Sequence, residues 1–322
     1  MNVYVATSYD PFYNLAVENW LFREMLTDSA ILYLWQNKPC VVIGRAQNPW
    51  RECNIDALNE DHIPIIRRQS GGGTVYHDLG NLNYTIMAPA NHYDKHANLQ
   101  LIVSILAAFN VKAYISPRND IFVHHHNHDY KISGSAFRET KDRSFHHGTL
   151  LINTDTSKLY QYLHHKIDDA LITKGVYSKR SMVINLKEID NNICPKRICE
   201  AFLTRFNTHI TYLPNNLNQM LIAEEMEKLH TWEWRFGKTL PFNHSMTLNG
   251  NHFTLEVKNG QLISIKTSDM QSYSNLVTWV SQGKPSYTKQ SFKPTSNMDF
   301  TAQERLLLQF LYDNIPTVFG SM

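Results

Sequence analysis

Glycine is scarce in this chain, 13 residues of 322, roughly 4% where about 7% is usual. Cysteine is scarcer, at four. Cys40, Cys53, Cys194 and Cys199 give neither a disulfide framework nor the paired ligands of a zinc site. Charge of one sign is also missing. The 31 Lys and Arg against 29 Asp and Glu leave a net +2. That excludes a dedicated DNA-binder with a dominating basic field, though not a local basic site. No apolar run approaches the ~18 residues of a membrane span. The opening MNVYVATSYDPFYNLAVENW lacks a basic stretch followed by an apolar core, so no signal peptide is expected, and a reducing cytoplasm is the expected compartment. Hydrophobic content of 43% excludes global disorder.

The little glycine there is lies unevenly. Gly44, Gly71, Gly72, Gly73, Gly80, Gly134 and Gly148 fall within about a third of the chain. Three in a row demand unusual backbone at 71–73. Histidine, by contrast, is plentiful at 16 residues, four of them in HHHNHD (124–129). That run reads as a metal site or as a polar hairpin tip between IFV and YKIS. The hairpin is preferred, because a flexible histidine run rarely holds the fixed geometry a metal needs.

Periodicity predicts an α+β fold with a mixed sheet. Asp10-Pro11 reads as an N-cap with proline at the first helical position, opening a helix to about Leu26. Strand-like runs follow at 31–35, 40–44, 63–68, 73–77 and 82–88, then at 111–115, 120–124, 130–133 and 148–153. Helical spacing marks 99–109, 157–172, 195–209 and 217–230. Turn formers in PFNHSMTLNGN suggest a domain boundary near 241–246. Beyond it come a hairpin across Asn259-Gly260 and a last amphipathic helix over about 299–313. The expected domains are therefore 1–243 and a small α+β domain at 247–322.

Two segments carry the chemistry. In RRQSGGGTVYHDLGNLNYT (67–85), three glycines after a strand let backbone N–H groups face an anion. Arg67 and Arg68 can fork onto phosphate or carboxylate. The loop is neither a Walker A loop nor a dinucleotide fingerprint, since the closing Lys-Ser/Thr and the glycine spacing are missing. It reads as a flexible turn or a phosphate site, and the arginine pair favours the phosphate site. In KISGSAFRETKDRSFHHGTLL (131–151), Lys131 ends an alternating strand beside Ser-Gly-Ser. It reads as a solvated edge lysine or as one projecting into a cleft. The residues alone support an anion-binding cleft.

These stretches, with SYDPFYNLAVE (8–18), VVIGRAQNPWRECN (41–54), RNDIFV (118–123) and TWEWRFGK (231–238), resemble the lipoate–protein ligase family, which also holds octanoyltransferases and, more distantly, biotin–protein ligases. The resemblance implies a mixed-sheet catalytic domain of the biotin/lipoate ligase type followed by an accessory domain. It implies an AMP-forming, ATP-dependent ligase that converts lipoate or octanoate to an adenylate. The acyl group then passes to a lysine of lipoyl domains, those of 2-oxoacid dehydrogenase E2 subunits and the glycine cleavage H protein. The implied catalytic lysine is Lys131. Arg68, Gly73, Thr74, Val75 and Tyr76, with Lys131, would bind ATP. Ser70, Gly71, Gly72, His77, Arg138 and His147, again with Lys131, would bind lipoate. Asp120 would hold Mg²⁺, or else cap a strand start, and Asn81 and Asn83 are secondary candidates. Val42, Ile43, Val75 and Leu150 are candidates for the apolar groove, or plain core. No nucleic-acid or membrane partner is expected, and a monomer is.

Several rival readings exist. An octanoyltransferase carries its acyl group on a cysteine thiolate, and no cysteine lies between 54 and 193. A lipoyltransferase using preformed lipoyl-AMP shares nearly the same motifs, although ETKDRSFHHGTLLIN is worded closer to the ligases. A nucleotide-binding sensor would keep the glycine loop without needing Lys131. A biotin ligase fits the glycine-loop pattern less well.

Overall fold

The computed structural model describes residues 1–24, 29–163, 170–209, 211–212, 219–294 and 299–318. From the N-terminus run β1 (Asn2–Val5), α1 (Pro11–Glu24), β2 (Ile31–Trp35), β3 (Cys40–Ile43), α2 (Pro49–Glu52), α3 (Ile55–Glu60), β4 (Ile65–Arg67), β5 (Val75–His77) and β6 (Asn81–Pro89). Next come α4 (Lys95–Ala107), β7 (Ala113–Ile115), β8 (Ile121–His125), β9 (His128–Ser133), β10 (Ser135–Glu139), β11 (Arg143–Leu151), α5 (Thr156–Tyr162) and β12 (Leu171–Thr173). The chain continues through α6 (Leu186–Ile189), α7 (Pro195–Phe206), β13 (Thr211–Tyr212), α8 (Gln219–His230), β14 (Phe242–Leu248), β15 (Asn251–Lys258), β16 (Gln261–Lys266), α9 (Ser274–Gly283) and α10 (Ala302–Asn314). The α+β class with mixed sheets is as expected. No helix among the described residues is long and apolar enough to cross a membrane.

The chain divides into two compact units. The first comprises Met1–Arg45, Ile65–Tyr160 and Ser178–Leu229. Its main sheet runs β10-β11-β6-β2-β1-β13. β1 pairs in parallel with β2 and β13, and the remaining pairs are antiparallel. β2 is buried along all five residues, as a central strand covered on both faces must be. Leu32, Leu34, Tyr84, Ile86 and Leu150 pack with Leu99, Ile102 and Leu106 of α4 and Ile198 and Phe202 of α7. Leu150 is therefore core. Asp10 caps α1 as expected, its carboxylate accepting from the N–H groups of Phe12 and Tyr13 at 2.8 and 2.9 Å. The far end of that expected helix, Met25 and Leu26, lies outside the described residues.

A three-stranded sheet, β4-β3-β5, positions the glycine loop. β4 runs parallel to β3, with Ile43 opposite Arg67, and β5 returns antiparallel on its other side, with Val42 opposite Val75. Residues 68–74 must therefore cross the end of β3. A second small sheet, β7-β8-β9, contains the histidine run. His126 and Asn127 both have positive φ, 45° and 63°, the primed turn of a two-residue hairpin. No cluster of three or more metal-ligating side chains occurs among the described residues.

The second unit comprises Ala46–Pro64, Gln161–Tyr177 and His230–Met322. It holds the antiparallel sheet β12-β14-β15-β16. Trp50 is buried against the rings of Phe236, Phe242 and Tyr287, at 5.4, 5.5 and 5.5 Å. In the TWEWRFGK stretch, Trp232 stacks on Phe236 at 6.2 Å.

Three local expectations change. The expected helix 157–172 ends at Tyr162, its part at 164–169 lies outside the described residues, and Leu171–Thr173 is strand. The turn-former run near 241–246 is strand β14, because Phe242 and His244 point inward while Asn243 and Ser245 are exposed, a period of two. The third change is a strand missed altogether, β10. Its hairpin with β11 pairs Arg138 with Phe145 and Ala136 with His147. The hairpin at Asn259-Gly260 forms as expected, with φ of 52° and 68°. The last helix forms close to its expected place. Of the expected helix 217–230, residues 217 and 218 lie outside the described residues.

Candidate active site

The glycine loop is built around a buried cation. Arg68 donates from Nε to Ser70 Oγ (2.9 Å) and from Nη1 to the Val42 carbonyl (3.1 Å). Its Nη2 reaches the carbonyls of Gly71 and Gly73 at 2.6 and 2.7 Å. Burial lowers its pKa to about 10, so it stays charged at neutral pH. The loop carbonyls are thus turned onto Arg68, and the guanidinium is largely committed to shaping the loop. The N–H groups of Gly71, Gly72 and Gly73 donate to nothing among the described residues. Three successive unpaired amides backed by a cation make an anion cradle. Gly72 has φ +81°, which favours glycine.

Gly44 is part of this cradle. A Cβ there would lie 2.3 Å from the Gly72 carbonyl oxygen, because the loop crosses the end of β3 directly above it. Thr74 ends the loop, its N–H donating to Ser178 Oγ at 2.9 Å. Tyr76 is buried on β5 and Val75 half-buried.

Lys131 sits on β9, opposite Phe122. Its Nζ lies 2.9 Å from Asp120 Oδ1, its one acceptor among the described residues. The other two ammonium N–H donors remain open. The side chain is 23% exposed, so the cation is shielded yet reachable. Gly134 makes room for it, since a Cβ there would stand 3.3 Å from both Cε and Nζ. The loop and Lys131 flank one stretch of chain. A Cβ on Gly72 would meet Ala136 Cβ at 3.2 Å, two residues beyond Gly134. A second link runs through 178–184, where Ser178 holds Thr74 and the Met182 carbonyl accepts the Lys131 N–H at 2.8 Å.

Behind the loop lies a buried polar chain. Ser70 Oγ meets His147 Nε2 at 2.7 Å, and His147 Nδ1 meets Glu18 Oε1 at 2.8 Å. Thr85 Oγ1 donates to the same Glu18 oxygen at 2.6 Å and accepts from Trp35 Nε1 at 3.1 Å. The Glu18 carboxylate can only accept, which places a proton on His147 Nδ1 and lets Ser70 donate to the Nε2 lone pair of the neutral ring. Both nitrogens of His147 are engaged, so the ring braces the loop. Glu18 was invisible as a site residue in the sequence. The available signal was a polar pair, Asn14 and Glu18, spaced four apart within the apolar stripe of α1.

Ser70, His147 and Glu18 stand in the order of a serine nucleophile, its base and its orienting acid. Ser70, however, is 1% exposed and holds Arg68 on a lone pair. Ser70→Ala should therefore lower activity less than about tenfold. An assay loss equal to that of Lys131→Ala would instead make Ser70 a nucleophile.

His77 is buried, with Nδ1 on Asn37 Nδ2 at 3.1 Å and Nε2 unpartnered among the described residues. Asn81 Nδ2 donates to Asn83 Oδ1 at 2.9 Å. His146 is buried beside Ser135 and stacks on Phe137. Burial, above all, lowers both His77 and His146 to about 3. They fold neutral, while the unfolded chain protonates them below about 6.5. The unfolded state thus binds more protons, and stability is lost as pH falls from about 6.5 toward 3. Urea unfolding should show a loss of up to about 1.4 kcal/mol per pH unit for each ring in that window. His146→Asn should remove one ring's share, and an unchanged slope would contradict the assignment.

Arg138 projects from β10 with Nη1 on Gln69 Oε1, and its guanidinium lies 4.9 Å from the Phe22 ring centre. Its remaining donors meet no acceptor among the described residues. Among the described residues, Asp120 alone forms an ion pair with Lys131. A Mg²⁺ there would take its remaining ligands from phosphate and water, which is an ordinary Mg²⁺ set. Cys40 is fully buried, and burial pushes its thiol up, so it does not supply a reactive thiolate. Val42 and Ile43 are buried on β3.

The model of the lipoyl protein ligase A/B catalytic domain matches residues 10–207. The crystal structure of P. falciparum LipL1 in complex with lipoate is 28% identical, with a TM-score of 0.64, over 97% of this chain and 99% of that one. A bi-partite lipoate protein ligase from Thermoplasma acidophilum, studied with its E2 lipoyl domain, shares the fold at TM-score 0.62 and 23% identity, over 74% of this chain and 97% of that one. Lipoate-protein ligase A bound with ATP shares it at TM-score 0.61 and 22% identity, over 74% and 100%.

Proposed function

Since the chain belongs to the lipoyl protein ligase A/B catalytic-domain family, we propose that it is an ATP-dependent lipoate–protein ligase. One observation carries the reading: the Lys131 ammonium, held by a single carboxylate with two donors open, flanks the same stretch of chain as three unpaired backbone amides. Two anions must meet in this reaction, a carboxylate and the α-phosphate of ATP. Lys131 would donate to both at once, offsetting their repulsion and the charge that builds as they react. The amides of Gly71 to Gly73, with Thr74, Val75 and Tyr76, would cradle the nucleotide, and Arg68 would hold that cradle in shape. Arg138 would take the lipoate carboxylate. Ser70, His77 and His147 would form the wall on that side. Lipoate bound to LipL1 and ATP bound to lipoate-protein ligase A support both substrates.

In the first step a carboxylate oxygen forms a bond to the α-phosphorus. The bond to the bridging oxygen breaks, and its electron pair leaves with pyrophosphate. In the second step the neutral amine of an acceptor lysine attacks the acyl carbon. The bond to the AMP oxygen breaks, AMP leaves, and the amine loses a proton to solvent. Asp120 would hold Mg²⁺, whose charge would stabilise the phosphates. The acceptors would be lipoyl domains of 2-oxoacid dehydrogenase E2 subunits and the glycine cleavage H protein. The Thermoplasma pairing with an E2 lipoyl domain supports that class.

Incubation with lipoate, ATP and Mg²⁺ but no acceptor tests the activation step. Bound lipoyl-AMP and released pyrophosphate are expected. Modification of an acceptor by supplied lipoyl-AMP, without adenylate formation from lipoate and ATP, would make the protein a transferase.

A further inference from the structure

A buried carboxylate outside the motif segments is linked to Arg138 through one side-chain amide. Glu225 of α8 is 4% exposed and accepts from four side chains. Asn19 Nδ2 lies at 3.0 Å and Gln69 Nε2 at 2.9 Å from Oε1. Arg23 Nη1 lies at 2.9 Å from Oε2, and Lys228 Nζ at 3.2 Å from Oε1. A carboxylate with this many donors has no freedom to turn. It therefore decides which way the Gln69 amide faces. With Nε2 held by Glu225, Gln69 Oε1 faces Arg138 and accepts from its Nη1.

We infer that Gln69 and Glu225 are positioning residues that aim Arg138 at the substrate carboxylate and set the preference for an acid over its neutral amide. The inference rests on the proposed ligase reading. Its physical core is the neutral spacer. A carboxylate placed directly on Arg138 would pair with the guanidinium and weaken its pull on a second anion. An amide between the two transmits orientation through hydrogen bonds while keeping the carboxylate from pairing directly with the guanidinium. Arg138 is left with a fixed plane, open donors and surplus charge. Desolvation, with Arg45 and Arg23 nearby, works against the charged guanidinium more than Glu18 and Glu225 support it, and a bound anion would relieve that.

Lipoate and lipoamide are the probes, since they differ only in the carboxylate. Both are titrated by calorimetry into the wild type, Gln69→Met, Gln69→Glu and Glu225→Gln. The wild type should prefer lipoate. Gln69→Met, close in shape but without the amide, should lose lipoate affinity about tenfold and keep lipoamide affinity. Gln69→Glu should lose at least as much, because the new carboxylate pairs with Arg138. In turnover, Gln69→Met should raise the lipoate KM by a similar factor, with kcat and the ATP KM held. Glu225→Gln combined with Gln69→Met should cost no more than Gln69→Met alone, since both act through one amide. A preference for lipoate unchanged in Gln69→Met and Gln69→Glu overturns the inference while leaving the ligase reading intact. Equal losses for lipoate and lipoamide mark a merely structural role and also overturn it. A wild type that binds neither probe removes the ligase reading, and the inference with it.

Discussion

Lys131→Ala is expected to cut lipoyl-AMP formation by about 10²–10³-fold or more and to leave the fold intact. The lysine makes one ion pair, with Asp120, and both partners are partly exposed, at 23% and 18%. A lone, partly exposed pair of this kind adds little to stability, so the unfolding midpoint should hardly move. Catalysis should depend on it far more. Without the ammonium, the carboxylate and the α-phosphate would meet with no donor shared between them, and the charge of the pentacovalent phosphorus would lose that cation. Lys131→Arg should recover little, because Gly134 stands where a Cβ would touch Nζ at 3.3 Å and a planar guanidinium needs more room. Pyrophosphate release with a folded control by circular dichroism checks this. Wild-type turnover in Lys131→Ala would refute the role.

Gly44→Ala is the second large effect, and it acts through backbone. The added methyl would stand 2.3 Å from the Gly72 oxygen, and backbone cannot swing aside as a side-chain tip can. The loop would have to lift off the end of β3. Overpacking of this kind costs about 1–3 kcal/mol. A displacement of the cradle by about 1 Å costs on the order of 10²-fold in turnover. Urea unfolding and the steady-state constants for ATP check both halves. A Gly44→Ala protein with wild-type stability and ATP kinetics would mean that the close approach does not matter.

These two residues show what the sequence could and could not reveal. Lys131 and the glycine triplet were legible, because a local string of residue types marks them. Gly44 stood outside the two chemistry-bearing segments, although inside the 41–54 stretch, and its constraint comes from a carbonyl 28 positions away in sequence. Glu18 and Glu225 were hidden for a similar reason. Each shares its helix with at least one other acid, and only packing shows that it is buried among donors. The β10 strand was missed because SAFRETKDR alternates weakly and carries five charges. Its pairing with β11, not its own pattern, makes it a strand and brings Arg138 to the loop. Strand β14 was obscured by turn-forming residue types, whose period of two shows once one face is covered. Helix α1 and the hairpin at Asn259-Gly260 were legible because their caps and turn residues act locally.

The most direct test of the ligase account follows the intact mass of an apo lipoyl domain incubated with the protein and lipoate. The lipoyl adduct should form only when ATP and Mg²⁺ are both present. Transfer without ATP from an octanoyl-loaded acyl-carrier protein would contradict the account and place the protein with the acyltransferases.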